Sequence, residues 1–352
     1  MATKGAVYDY IQLFNSKSNK IIDIYNTLAI CATEIKFKLE NGSTEPRFII
    51  FSNTGSIYSL AKVIMTENEC LKSRETVEGC LRELKTLGTL CYDEKLSAWY
   101  LPNLTSAVSQ IKDTDDEAIK SKKKGYLSLK SIFFTERFYA ASKNDKKLLL
   151  FSLLTMECMT TNSQKKTFRR IHKADFLVNV EKSFDELAKK NINWVSILGT
   201  NNIHYARLII KSFINDNKDL IQGVEDSYTK KSAKFKFNII RTMFTDIKSI
   251  SLQDEYLQLV NKYKEKFEIL KEIAEVRNFK LEEKFVVTSL RTLKTYTSTQ
   301  FRWVTTRAIN KILFGGTKIS SLAKYLIGTG TDIFVRSNWS IDDPIAKTML
   351  GL

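Results

Sequence analysis

Ser73, Arg74, Thr76 and Arg82 belong to one short stretch, KSRETVEGCLRELKTLG, whose apolar residues recur at helical spacing. The arginine fork matches guanine O6 and N7, and small hydroxyls reach bases or phosphates, so this set suits reading base edges from a helix. Lys72 beside it and Lys95 further on suit phosphate oxygens, where any cation serves. A second basic set is Lys165, Lys166, Arg169 and Arg170, within SQKKTFRRIHK. A third is Lys230, Lys231, Lys234 and Lys236, within KKSAKFKFNI. Both sets are expected on a phosphate backbone, since each phosphate neutralised releases counterions and dispersed cations suffice for affinity.

Catalytic chemistry finds less support. His172 and His204 are the only histidines, and no C-x-x-C spacing exists among the five cysteines, which argues against a zinc site. A rolling-circle nuclease would need two histidines flanking one apolar residue, plus a tyrosine, and that pattern is absent. His204-Tyr205-Ala206-Arg207 matches the H-x-x-R piece of tyrosine recombinases, with Arg137 and Tyr228 as conceivable partners. The surrounding pattern does not fit, and four-residue matches arise easily by chance. Gly315-Gly316-Thr317-Lys318 lacks phosphate-loop spacing, and Asp113, Asp115, Asp116 and Glu117 lack the order of a calcium loop. The expectation is a binder with no metal and no cofactor, not an enzyme.

Residues 56–102 carry the elements that would position the first set. Ile57, Leu60, Ala61 and Ile64 mark one helix. Ser73 reads as the N-cap of a second, which buries Val77, Cys80, Leu81, Leu84 and Leu87 and ends at Gly88 in a left-handed cap. Thr89–Tyr92 and Ser97–Leu101 read as a hairpin. This order predicts a winged helix-turn-helix, with the second helix in the major groove and the hairpin on the backbone. Upstream, residues 4 to about 40 read as helical and Arg47–Phe51 as a strand, completing a DNA-binding domain over 1–108.

Residues 109–124 switch from an acidic block to a basic one and read as a charged linker. A second basic domain is expected over 125–250. It opens on a strand at Tyr126–Leu129 and an aromatic helix at Phe133–Ser142. An apolar helix follows over Lys146–Met159, capped by Asp145. Helices from Ser183 and from Asn201 or Asn202, then an alternating strand over Lys230–Ile239, again give helix, helix and basic hairpin. On the second of those helices Ala206, Ile209, Ile210 and Phe213 share a face, with Arg207 and Lys211 on the other side. Residues 251–352 read as a helical C-terminal region with apolar stripes over Asp254–Ala274 and Leu281–Phe314. The expected fold class is mainly α with small β-hairpins: tandem winged helices followed by helices.

Length and composition agree with that division. The 352 residues suffice for two or three cores, and 43% hydrophobic content fits folded domains. A formal net charge of +16 favours a polyanion as partner. No apolar run approaches a membrane span, and MATKGAVYDY lacks a signal-peptide core, so no membrane role is expected. Five unpaired cysteines suit reduced thiols in a cytoplasm.

The passage GYLSLKSIFFTERFYAASKNDKKLLLFSLLT resembles one in replication proteins of plasmids and phages from low-G+C Gram-positive bacteria. With the two winged-helix units and the linker, the likeness covers about the first two thirds of the chain. It implies origin-repeat binding, melting of A+T-rich DNA and recruitment of host replication proteins, in a cytoplasmic, nucleoid- or plasmid-associated setting, without catalysis. It implies double-stranded DNA as the partner. A homodimer is conceivable. Three alternatives stay open: a repressor or antirepressor built on the same module, a recombinase or nuclease, and a scaffold protein.

Overall fold

The computed structural model describes residues 4–38, 44–52, 54–94, 98–104, 126–128, 131–150, 173–179, 198–200, 202–229, 232–239, 251–315 and 319–335. These are mainly helical, with small antiparallel sheets, an α+β protein. Compactness divides the chain into two units, and neither is a single run of sequence. Unit 1 takes Met1–Ile30, Ile64–Leu90 and Leu101–Asp246, and unit 2 takes Cys31–Val63, Cys91–Tyr100 and Ile247–Leu352. The span 1–108 is therefore shared between both, and the expected linker over 109–124 lies outside the described residues.

In chain order the first part holds β1 (Lys4–Ala6), α1 (Val7–Leu13), α2 (Ile21–Cys31), β2 (Thr33–Lys38) and β3 (Thr44–Ile50). It continues with α3 (Ile57–Glu67), α4 (Arg74–Thr86), β4 (Cys91–Asp93) and β5 (Ala98–Tyr100). The expected helix over 4 to 40 is corrected at both ends. Lys4–Ala6 pairs antiparallel with β6 (Tyr126–Ser128), and Thr33–Lys38 forms a ladder with β3 from Thr33↔Ile49 to Lys38↔Thr44. TEIKFK alternates with period two, so a strand signal exists in the sequence but is overrun by the helical stripe before it.

Unit 2 is built on the sheet β2-β3-β5-β4, antiparallel throughout. Phe48, Ile49, Ile50 and Phe51 are consecutive and all buried, so this strand is covered on both faces. Ile35, Ile49, Phe51 and Ala98 join one apolar cluster with residues of the C-terminal helices, among them Leu270 and Phe301. The Phe51 ring centroid lies 4.3 Å from that of Tyr296. The helices are α7 (Leu252–Lys262), α8 (Lys264–Val276), α9 (Glu283–Thr292), α10 (Ser298–Phe314) and α11 (Leu322–Val335). The stripe over Asp254–Ala274 is thus two helices, broken at Tyr263 (φ −116°, ψ 47°), whose ring is buried. Thr297 and Gln300 form a reciprocal capping box that starts α10, and α10 ends at Gly315. Glu272 pairs with Arg302 across α8 and α10, and Glu255 pairs with Arg291 across α7 and α9. Gly330 of α11 faces Tyr296, leaving no room there for a Cβ.

Unit 1 continues with a 3-10 turn at Ser131–Phe134, α5 (Glu136–Ala140) and a helical stretch over 143–150. Ser142, not Asp145, starts that stretch. Its hydroxyl accepts from Asp145 N at 3.2 Å and donates to the Asp145 carboxylate at 2.7 Å. Then come β7 (Lys173–Asn179), α6 (Ile203–Asp216), β8 (Ile221–Thr229) and β9 (Ser232–Ile239). Of these three strands, only β9 is expected from the sequence. β7 and β8 flank it on either side in the order β7-β9-β8. The expected helix from Ser183 lies outside the described residues.

Buried polar joints tie the helices of unit 1. Residues 21–29 of α2 are all buried, so Asp23 must find its partners inside. Lys146 Nζ donates to Asp23 at 2.7 Å and to the Tyr139 carbonyl at 3.2 Å, and both charged side chains are fully buried. Burial pushes the Asp23 carboxyl up and the Lys146 ammonium down, while their mutual attraction opposes both shifts. Lys20 adds a bond to the Tyr139 carbonyl at 2.8 Å. Asp9 is a second joint. It accepts from the Tyr25 hydroxyl at 2.7 Å and from Asn103 Nδ2 at 2.6 Å, so α1, α2 and the chain after β5 meet at one carboxyl. Burial pushes Asp9 from 3.8 to about 6, against hydrogen bonds that hold it down.

Two outcomes are expected. Lys146→Ala leaves the buried Asp23 with only the more distant and partly exposed Lys20, 3.6 Å away, and should cost about 3 kcal/mol in chemical denaturation. The apolar pair Asp23→Leu with Lys146→Met should recover most of that loss. Asp9, raised in the folded state, contributes stability that is complete below the unfolded carboxylate value and is lost as pH rises through about 6. Wild type should therefore lose roughly 3 kcal/mol relative to Asp9→Asn between about pH 4 and pH 7. Urea denaturation at each pH reads this, and a pH-independent difference would refute it.

Candidate nucleic-acid interface

The local sequence explains why α4 forms and which face it presents. Ser73 has extended backbone, and its Oγ accepts from Thr76 N at 3.2 Å and from the Thr76 hydroxyl at 3.0 Å. Val77, Cys80, Leu81 and Leu84 are buried on one side, with Cys80 Sγ 3.1 Å from the Ser18 hydroxyl. Leu87 does not join them and is exposed. Gly88 takes the left-handed conformation (φ +70°) expected of a helix stop.

Lys72, Ser73, Arg74, Thr76 and Arg82 are all exposed, so the structure brings the first candidate set together on one helix. Their charges are not what the bulk excess suggests. Arg74, Arg82 and Lys85 are matched on α4 by Glu75, Glu78 and Glu83. Glu78 lies between the two arginines, with Oε1 3.4 Å from Arg74 Nε and Oε2 2.9 Å from Arg82 Nη2. Gly79 stands in the exposed surface, where an added Cβ would meet nothing within 4 Å. A glycine in a helix interior costs about 1 kcal/mol relative to alanine, and no packing inside the chain requires this one.

The hairpin after α4 forms where the sequence places it, as β4 and β5. Arg47 and Asp93 pair at 3.0 Å across the sheet. Ala98 and Trp99 are buried, and Tyr100 packs against the apolar cluster of unit 2. These strands serve the core more than a backbone. Lys95 lies outside the described residues, as do Lys165, Lys166, Arg169, Arg170, Lys230 and Lys231. Lys234 and Lys236 lie at alternate positions of β9, the central strand. Lys236 stands opposite Asp175 of β7 and Glu225 of β8, and Lys234 opposite Leu177 and Ser227.

α6 carries an outer surface that the basic clusters did not point to. Asn202 caps it, accepting from His204 N at 2.9 Å and Tyr205 N at 3.2 Å. Ala206, Ile210 and Phe213 are buried, whereas His204, Tyr205, Leu208 and Ser212 are exposed. Tyr205 and Leu208, three residues apart, were the available signal: large apolar residues off the buried stripe. Arg207 and Lys211 do not project away from the sheet. Asp226 of β8 holds them at 3.3 and 2.9 Å, and its carboxyl is pulled down first by the hydrogen bond from Lys211.

The two arginines of the recombinase match are paired within the chain. Arg137 donates to both oxygens of Asp219 and to Asn217 Oδ1 at 3.0 Å, at the rim of a cleft of about 370 Å³. Arg207 belongs to the Asp226 pair. Among the described residues no cluster of three or more His, Cys, Asp or Glu could hold a metal, and no helix is long and apolar enough to cross a membrane. No family model, no curated protein and no solved structure matches this chain.

Ser73→Ala removes the cap of α4 and should cost about 1 kcal/mol, whereas Gly79→Ala should gain up to about 1 kcal/mol. Thermal and urea unfolding of both variants check the opposite signs.

Proposed function

We propose that the chain is a sequence-specific double-stranded DNA-binding protein with two winged-helix modules, acting as a replication initiator of the plasmid or phage type. In this reading it binds repeated sites at an origin and recruits host replication proteins, without chemistry of its own. The observation that carries the reading is a repeated topology. The first sheet contains the order β3-β5-β4, and the second is β7-β9-β8. In both, the first strand pairs with the last, the last forms a hairpin with the middle one, and a capped helix precedes that hairpin. A helix followed by such a hairpin is the order a winged helix requires, and its recurrence supports the reading.

Each module then offers a reading helix. α4 would present Ser73, Arg74, Thr76 and Arg82 to base edges, with Lys72 on phosphate. α6 would present His204, Tyr205, Leu208 and Ser212, where an apolar side chain suits a thymine methyl. The net charge of +16 supports a nucleic-acid partner in general, and two reading helices support a long or repeated site. A homodimer would double the number of half-sites read.

Fluorescence anisotropy with random DNA and with DNA flanking the chain's own gene, at several salt concentrations, tests this. The expected result is tight, salt-sensitive binding that prefers the flanking DNA and footprints on repeats. One palindrome in a promoter would favour a repressor, and DNA cleavage would favour a nuclease. Absence of salt-dependent binding would overturn the reading. Arg74→Ala with Arg82→Ala should weaken binding to the preferred site by about 1–3 kcal/mol for each base no longer read. Unchanged site preference in that double variant would exclude α4 as a reader.

A further inference from the structure

We infer that Glu78 is a positioning residue of this interface: it holds Arg74 and Arg82 for base edges and keeps them from phosphates. The inference rests on the DNA-binding reading of α4. Glu78 is four residues from each arginine, so all three side chains meet on one face of the helix. Its carboxylate engages both, through Oε1 at 3.4 Å and Oε2 at 2.9 Å. The carboxylate side chain is 17% exposed, while the arginines keep 59% and 63% of theirs in solvent.

That geometry does little for the stability of the fold. Exposed ion pairs of this kind contribute between nothing and about 1 kcal/mol. Its consequence lies at the surface that meets a partner. A guanidinium carries five N–H donors in a rigid fork, so one carboxylate takes up only part of it and fixes the plane of the rest. A side chain already held in one plane loses less rotamer freedom when it meets guanine O6 and N7. The same carboxylate works against phosphate. A phosphate is available at every step of any duplex, and it must compete with Glu78 for each arginine while approaching a negative charge. Glu78 therefore lowers the general affinity of the helix and sharpens its choice of sites. It gives one of the three glutamates of this helix a use inside a chain of net charge +16.

Glu78→Gln keeps the shape and removes the charge. With the full-length chain, anisotropy on random duplex and on the preferred flanking duplex is measured across a salt series. Random DNA should bind several-fold tighter, and the plot of log K against log salt should steepen by about 1 to 2 as one or two arginines move to phosphates. The preferred duplex should gain nothing or lose affinity, so the ratio between them should fall about tenfold. Glu78→Ala should do the same, and unchanged urea unfolding verifies that both variants are folded. Wild-type preference with an unaltered ratio and salt slope in both variants would overturn the role of Glu78 alone. Absence of any salt-dependent binding in the wild type would overturn the DNA-binding reading and this inference with it.

Discussion

A strand that is apolar on both faces has to be covered on both. Phe48, Ile49, Ile50 and Phe51 impose that condition on unit 2. One side of the sheet receives the C-terminal helices, with Ile35, Ile49 and Phe51 in the same cluster as Leu270 and Phe301. Burying an aromatic or branched side chain is worth about 1.5–3 kcal/mol, so the residues shared by sheet and helices amount to a substantial part of this unit's core. The helices from Leu252 to Val335 are therefore no appendage to a finished N-terminal domain. They complete its sheet, and the short strand β5 packs on them through Ala98 and Tyr100.

Unit 1 is tied by a different kind of interaction. β1 pairs with β6, and Lys146 reaches Asp23, so residues far apart in the chain are joined through backbone bonds and a buried ion pair. Such a pair adds little net stability over an apolar substitute but penalises any arrangement that separates its partners. It specifies one packing of α2 against the stretch 143–150. Asp9 acts in the same way, since its two donors come from α2 and from the chain after β5.

Charge is organised locally, in a way the net value hides. The candidate reading helices each have two cations tied to one carboxylate: Arg74 and Arg82 at Glu78, Arg207 and Lys211 at Asp226. The first arrangement lies within one helix, and the second joins a helix to the hairpin behind it. Both orient long side chains, which a plain lysine-rich surface does not do.

Local order was readable where a residue type has a local job. Ser73 as a cap, Gly88 as a left-handed stop, the apolar stripe Val77–Leu84 and the start of α6 at Asn202 follow from short-range hydrogen bonding and period. So did the helical character of residues 252–327 and the exposure of the α4 candidates, whereas the continuation of the last helix through Gly328 and Gly330 to Val335 did not. The strands β1, β2, β7 and β8 were missed, because a strand of three to nine residues is defined by its partner across the ladder and not by its own pattern. The burial of Ala98 and Trp99 was not legible either, because it depends on distant chain. By itself the sequence determined most of the helices, the caps at Ser73 and Asn202 and the exposed face of α4, all properties of neighbours within a few residues. Only the tertiary structure decided which strands pair, that the C-terminal helices close the first sheet, and that Lys146 reaches Asp23, because these depend on groups brought together in space.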